Sequence, residues 1–167
     1  MQRVSWRRVK VTFLRLLHLH DSPQRTAAAF AIGIFWGMSP ITPPFFGLQT
    51  GMALFCAFIF RLNKIAALVG TLISNPFSFM PFYMFGTYVG SVILGYDLNV
   101  NASTLRHFFR HFSLKEMFSS PIAHAYFAGN FITATIASLA GYFILVWFIG
   151  RYRRLRESRR KRLRLET

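Results

Sequence analysis

The sequence predicts an all-α integral membrane protein: two tandem proline-broken helical hairpins, a C-terminal transmembrane helix and a basic interfacial helix at the N-terminus. Three observations carry that prediction. The 167 residues are 53% apolar and include 20 Phe, more than a single soluble domain of this length can bury. Charge is confined to short zones, leaving charge-free runs at 26–60, 65–96 and 117–150. Each exceeds the roughly 20 residues that cross a hydrocarbon core about 30 Å thick. Prolines interrupt the first two runs internally, whereas the third is continuous after Pro121.

The chain divides at 1–23, 24–96, 97–120, 121–150 and 151–167. In the first segment, "SWRRVKVTFLRLLHLH" sets Val9, Phe13, Leu16 and Leu17 at helical spacing among Arg7, Arg8, Lys10 and Arg15. Such a helix lies along a bilayer surface with its cations among the headgroups. It lacks the apolar run and cleavage site of a secretory signal, so no processing is expected. Asp21-Ser22-Pro23 then reads as a stop, an N-cap and a Pro at the first helical position, starting a helix near Gln24.

The run from Ala27 to Phe60 would form about 51 Å of unbroken helix, too long for one ordinary span and short for two. Ser39-Pro40 ends one arm, and Pro44 opens a second that runs to Phe60, giving a hairpin that either crosses thinly twice or re-enters. Arg61 and Lys64 return the chain to a basic surface. The next run repeats the plan: Asn75-Pro76 ends a short helix, and Pro81 opens another that reaches Gly95. Backbone groups freed at such breaks cannot face lipid, so each hairpin is expected to cover the other's break.

The polar segment 97–120 carries Leu105, Phe108, Phe109 and Phe112 on a short interfacial helix, which Ser103 can cap. The last block has Tyr126 and Trp147 near its ends, as a spanning helix should. Its small residues Ala128, Gly129, Ala134, Ala137 and Gly141 permit close packing against a hairpin. The tail that follows holds nine Lys or Arg against two acids, and the first 25 residues hold six against one. Basic flanks beside apolar runs mark the cytoplasmic side and attract anionic headgroups, which places both termini in the cytoplasm.

By Gly95 the elements "AAAFAIGIFWGMSP", "PFFGLQT", "RLNKIAALVGTLISNP" and "YVGSVILG" resemble the bacterial domain of unknown function 2062 family, over roughly Gln24 to Gly95 and more weakly in the last block. The resemblance implies a small bacterial integral membrane protein and supplies no substrate or catalytic residue.

The composition argues against an enzyme. All five acidic residues lie outside the charge-free runs, so no carboxylate pair sits there for acid–base work. No nucleophile elbow or glycine-rich phosphate loop is present. His107 and His111 share a helix face, but flanking Arg106 and Arg110 would repel a cation, while His18 and His20 diverge. His124 reads as a boundary residue and Cys56, the single cysteine, as a small apolar filler. No cofactor and no metal is expected. Three uncharged amides, Gln49, Asn63 and Asn75, are the polar candidates at membrane depth: they either satisfy backbone at the breaks or line a polar site between hairpins. Arg61 is read as a topology marker or an anion-binding group.

These residues point to a multi-pass protein of the inner membrane without catalytic activity. It would either pass a small solute or lipid headgroup between the hairpins, or serve as a scaffold or assembly factor recruiting other membrane proteins. Expected partners are the lipid bilayer and its anionic headgroups, with self-association or other membrane proteins left open. A nucleic acid is not expected, because no aromatic stacking platform accompanies the charge. If Asn75 satisfies buried backbone, Asn75→Leu lowers thermal stability in detergent well beyond Asn99→Leu, whose site lies in the polar linker. Equal melting of the two variants would show that the Asn75 amide pairs with nothing.

Overall fold

The structure, a computed structural model, describes residues 22–41, 47–72, 76–110, 113 and 119–165, with side chains for all of these except 76–79, 153 and 155–165. Among the described residues there are six helices and no strand: α1 Pro23–Met38, α2 Leu48–Ile59, α3 Lys64–Thr71, α4 Pro76–Leu94, α5 Ala102–Arg110 and α6 Pro121–Leu165. The proposed interfacial helix of residues 1–21 lies outside them.

α1 starts as its sequence dictates. Ser22 is the N-cap, its hydroxyl accepts from the Arg25 N–H at 3.3 Å, and Pro23 occupies the first turn. The helix stops because Ser39 precedes Pro40 and is held extended at φ −63°, ψ 137°. α2 opens at Leu48, not at Pro44 as expected. Gly47 sits at φ 106°, a left-handed conformation that no continuous right-handed helix passes through, and Pro44 itself lies outside the described residues. α2 runs back along α1: Ala29 packs near Ala57, and the Arg25 guanidinium donates to the Arg61 carbonyl. The first block is therefore a helical hairpin.

The second block is not a hairpin. α3 lies beside α1 and runs in the same sense, since Ala29 meets Ala66 and Gly33 meets Gly70. α4 and α1 both run antiparallel to α6: Gly90 meets Ala125 and Gly86 meets Asn130, while Phe35 meets Phe131 and Ala31 meets Ser138. So α3 and α4 share one direction. Pro76, at the first position of α4, opens that helix directly, and Pro81 lies inside it. Pro81 lacks an N–H and so removes one backbone bond from the helix. The likeness between the two proline clusters in the sequence thus does not extend to the directions of the helices that flank them.

Glycines set these directions. A Cβ on Gly33 would overlap the Ala67 carbonyl oxygen, and one on Gly129 would overlap the carbonyl oxygen of Gly86. Both helix pairs touch backbone to backbone, which is how helices associate where water supplies no driving force. α2 ends with Arg61 at φ 51°, and α4 ends with Gly95 at φ 69°; the following N–H of Leu62 and Tyr96 reaches back to Ala57 and Ser91, each at 2.8 Å. α5 is capped by Asn101 and not by Ser103: the Asn101 Oδ1 accepts from the Thr104 N–H at 2.9 Å and from the Ser103 hydroxyl. α6 carries on without interruption from the apolar block into the basic tail, 45 residues or about 68 Å. Its stretch Pro121–Tyr152 is long and apolar enough to cross a membrane, the one such helix among the described residues.

Gly129→Val should lower stability by at least about 1–3 kcal/mol, because its side chain meets backbone that cannot yield. Gly51→Ala, where a Cβ meets open space in mid-helix, should raise stability by up to about 1 kcal/mol. Thermal unfolding in detergent reads both.

Candidate functional site

At the end of α1, two tyrosines and a buried amide meet backbone from three chain segments. Ser39 and Pro40 are buried where α1 ends. Two tyrosines donate to their carbonyls. Tyr83 on α4 donates its hydroxyl to the Ser39 carbonyl at 3.0 Å, and Tyr126 on α6 donates to the Pro40 carbonyl at 3.3 Å. Their rings stack with centroids 5.7 Å apart and planes inclined by 22°. Leu105 and Phe108 of α5 close over the pair from the side, with the Phe108 ring 5.4 Å from Tyr126.

Behind the tyrosines lies Asn130, 2% exposed on α6. Its amide nitrogen donates to the Tyr126 carbonyl at 2.9 Å and approaches the Thr87 hydroxyl and Tyr83 carbonyl at 3.4 and 3.5 Å. Thr87 in turn donates to the Tyr83 carbonyl at 2.7 Å. α4 can come this close only because Gly86 leaves room for the Asn130 side chain. Every group in this lattice is uncharged, and its chemistry is that of holding: hydroxyl and amide donors fix three chain segments to one another.

A second feature lies between α1 and α6, an open groove of about 520 Å³. Phe30, Ile34 and Met38 form one wall at four-residue intervals along α1. Ala137, Ala140, Ile144 and Phe148 of α6 form the other, and Phe82 closes the end near the tip. The volume lies in the range of small-molecule sites, about 300–1,000 Å³.

A family model described as an uncharacterised protein conserved in bacteria, DUF2062, matches residues 6–158. The chain belongs to that family. The match takes in the basic N-terminal segment and the last helix, well beyond the stretch from Gln24 to Gly95 that carries the visible resemblance. No curated protein and no solved structure among those compared matches the chain. Both the tyrosine lattice and the groove fall within the DUF2062 region.

The candidate residues read from sequence do not converge on one site. Asn63 is the N-cap of α3, its Oδ1 accepting from the N–H groups of Ile65 and Ala66 at 3.0 and 3.1 Å. Gln49 is half-buried in the first turn of α2, and Asn75 lies outside the described residues. Arg61 and Lys64 are exposed at the opposite end of the hairpin from its tip, with the Lys64 ammonium 5.0 Å from the Phe58 ring. Cys56 is more than filler: its Sγ receives the Trp36 indole N–H at 3.3 Å, tying α2 to α1. His107 is exposed on α5 and His111 lies outside the described residues, among which no group of three or more metal-ligating side chains converges. Tyr83, Tyr126 and Asn130 were missed as site residues. A signal existed for Asn130, the lone amide within the unbroken block 121–150.

Tyr83→Phe and Tyr126→Phe should each lower stability by about 1–3 kcal/mol, the cost of leaving a buried carbonyl unpaired. Tyr88→Phe, at an exposed position on α4, should stay within about 0.5 kcal/mol of the parent chain in the same detergent melt.

Proposed function

We propose that this chain is a multi-pass protein of the bacterial inner membrane, with both termini cytoplasmic, that acts on lipid without catalysing a reaction. The observation that carries the reading is the exterior. Phe55, Phe58, Phe60 and Phe85 on α2 to α4, and Phe143, Ile144 and Trp147 on α6, are each 58–66% exposed. A surface of this kind aggregates in water and is at rest in hydrocarbon.

Helix lengths support a topology. α4 is 19 residues, about 28 Å, and the apolar part of α6 is 32 residues; either is long enough to reach across a hydrocarbon core about 30 Å thick. α2 is 12 residues, about 18 Å, which suits a segment that enters and leaves on one side. The first hairpin is thus re-entrant, its tip held between two crossing paths. Arg25, Arg61, Lys64 and Arg151 gather at the end where the hairpin begins and closes, and that end faces the cytoplasm by the positive-inside rule.

The lining of the groove favours lipid over small polar solutes, because its walls are hydrocarbon from end to end. A scaffold role draws support from α6, which continues through the basic tail to Leu165 as one helix.

Labelling tests the topology. In a Cys56→Ala background, cysteines placed at Arg8 and Lys64 should react with an impermeant thiol reagent from the cytoplasmic side, and one at Asp97 from the opposite side. Arg8 and Lys64 labelling from opposite sides would defeat the re-entrant hairpin, and Asp97 sharing the side of Lys64 would defeat the crossing by α3 and α4.

A further inference from the structure

On the reading that the bundle is membrane-embedded, we propose that the groove between α1 and α6 is a binding site for one acyl chain of an anionic phospholipid of the cytoplasmic leaflet, with its phosphate at Arg151. Length is the first argument. The α6 wall runs from Ala137 to Phe148, a rise of about 16 Å over 11 residues. Half of a hydrocarbon core about 30 Å thick is about 15 Å, so the groove matches one leaflet. Its inner end is stopped by Met38 and Phe82, beside the buried hairpin tip.

Charge is the second argument. The groove's outer end is Phe148, and Arg151 follows three residues later on the same face of α6. Arg151 is exposed, with its guanidinium 5.5 Å from the Trp147 ring, so the planar fork stands at the depth where headgroups lie. Arginine pairs with phosphate through two parallel hydrogen bonds. The nine cations between Arg151 and Arg164 raise the potential around that end and favour a lipid of net negative charge over a zwitterionic one.

The groove holds about 520 Å³ along this length, lined by apolar side chains, which suits a hydrocarbon chain.

The test uses the full chain in detergent with dioleoyl phosphatidylglycerol or dioleoyl phosphatidylcholine at equal concentration, counting retained lipids by native mass spectrometry. One phosphatidylglycerol per chain is expected, at about fivefold to tenfold preference, the scale of about 1 kcal/mol by which a cation near the surface favours a lipid of net negative charge. Ala140→Phe, which fills the groove, should lower that occupancy about tenfold, while Leu139→Phe, on the adjoining exposed stripe, should leave it unchanged. Arg151→Gln should lower retention of both lipids, since each carries the phosphate that Arg151 holds, and should reduce the preference without abolishing it, since eight cations of the tail remain; unchanged retention of both lipids would overturn the placement of the phosphate at Arg151. Thermal melts that match for the Ala140 and Leu139 variants show that both are folded. Equal occupancy in those two variants overturns the site, as does equal retention of the two lipids by the parent chain. Competition by inorganic phosphate alone would overturn the acyl-chain half of the assignment. A shift from dimer to monomer in Ala140→Phe would give the groove to a second copy instead. Release of the parent chain from membranes by alkaline carbonate would defeat the membrane reading itself, and retention with an indifferent groove variant defeats only the lipid site.

Discussion

The bonding of two carbonyl oxygens, those of Ser39 and Pro40, is the constraint on which the rest of the bundle depends. A proline that ends a helix in the interior of a protein leaves acceptors that cost several kcal/mol each if nothing reaches them. Here the donors come from two helices that are distant in sequence, through Tyr83 and Tyr126. Once both hydroxyls are required at the tip, α4 and α6 must pass within a ring's width of each other beside it. The glycines at 86, 90 and 129 then become necessary, because helices that close cannot carry side chains between them. Asn130 fills the remaining gap and pairs with backbone and Thr87 at the same crossing.

That constraint separates what the sequence shows from what it conceals. The three apolar blocks, the stop at Ser39-Pro40, the cap at Ser22 and the continuous last block are properties of neighbouring residues, and each is read directly. The direction of α4 is a different kind of fact. Proline clusters at 40–44 and 76–81 look alike as strings, but a proline terminates or opens a helix without stating where the next one points. Direction is seen in close contacts at glycines between helices, Gly33 with Gly70 and Gly90 with the Ala125 carbonyl, and a sequence taken alone does not say which residue each glycine faces.

The candidate site divides in the same way. Asn63 and Arg61 are explained within a few residues of themselves, as a helix cap and a left-handed helix end. The role of Tyr126 needs a residue 86 positions away, and from sequence it reads as an aromatic at the membrane boundary. Amides at depth were sought in the broken blocks, where breaks call for donors. The block without a break held the amide that is bonded across helices, because the cost of an unpaired acceptor can be met from any neighbour in space.

The 86-residue separation between Pro40 and Tyr126 also has a dimension in time. At ribosomal rates of roughly 5–20 residues per second, Tyr126 emerges about 4–17 s after Pro40, and Tyr83 about half as long after Ser39. For those seconds α1 exists without the two tyrosine hydroxyls that donate to its end. Completion therefore waits on the synthesis of α6: a product that stops before Pro121 lacks the hydroxyl that donates to the Pro40 carbonyl.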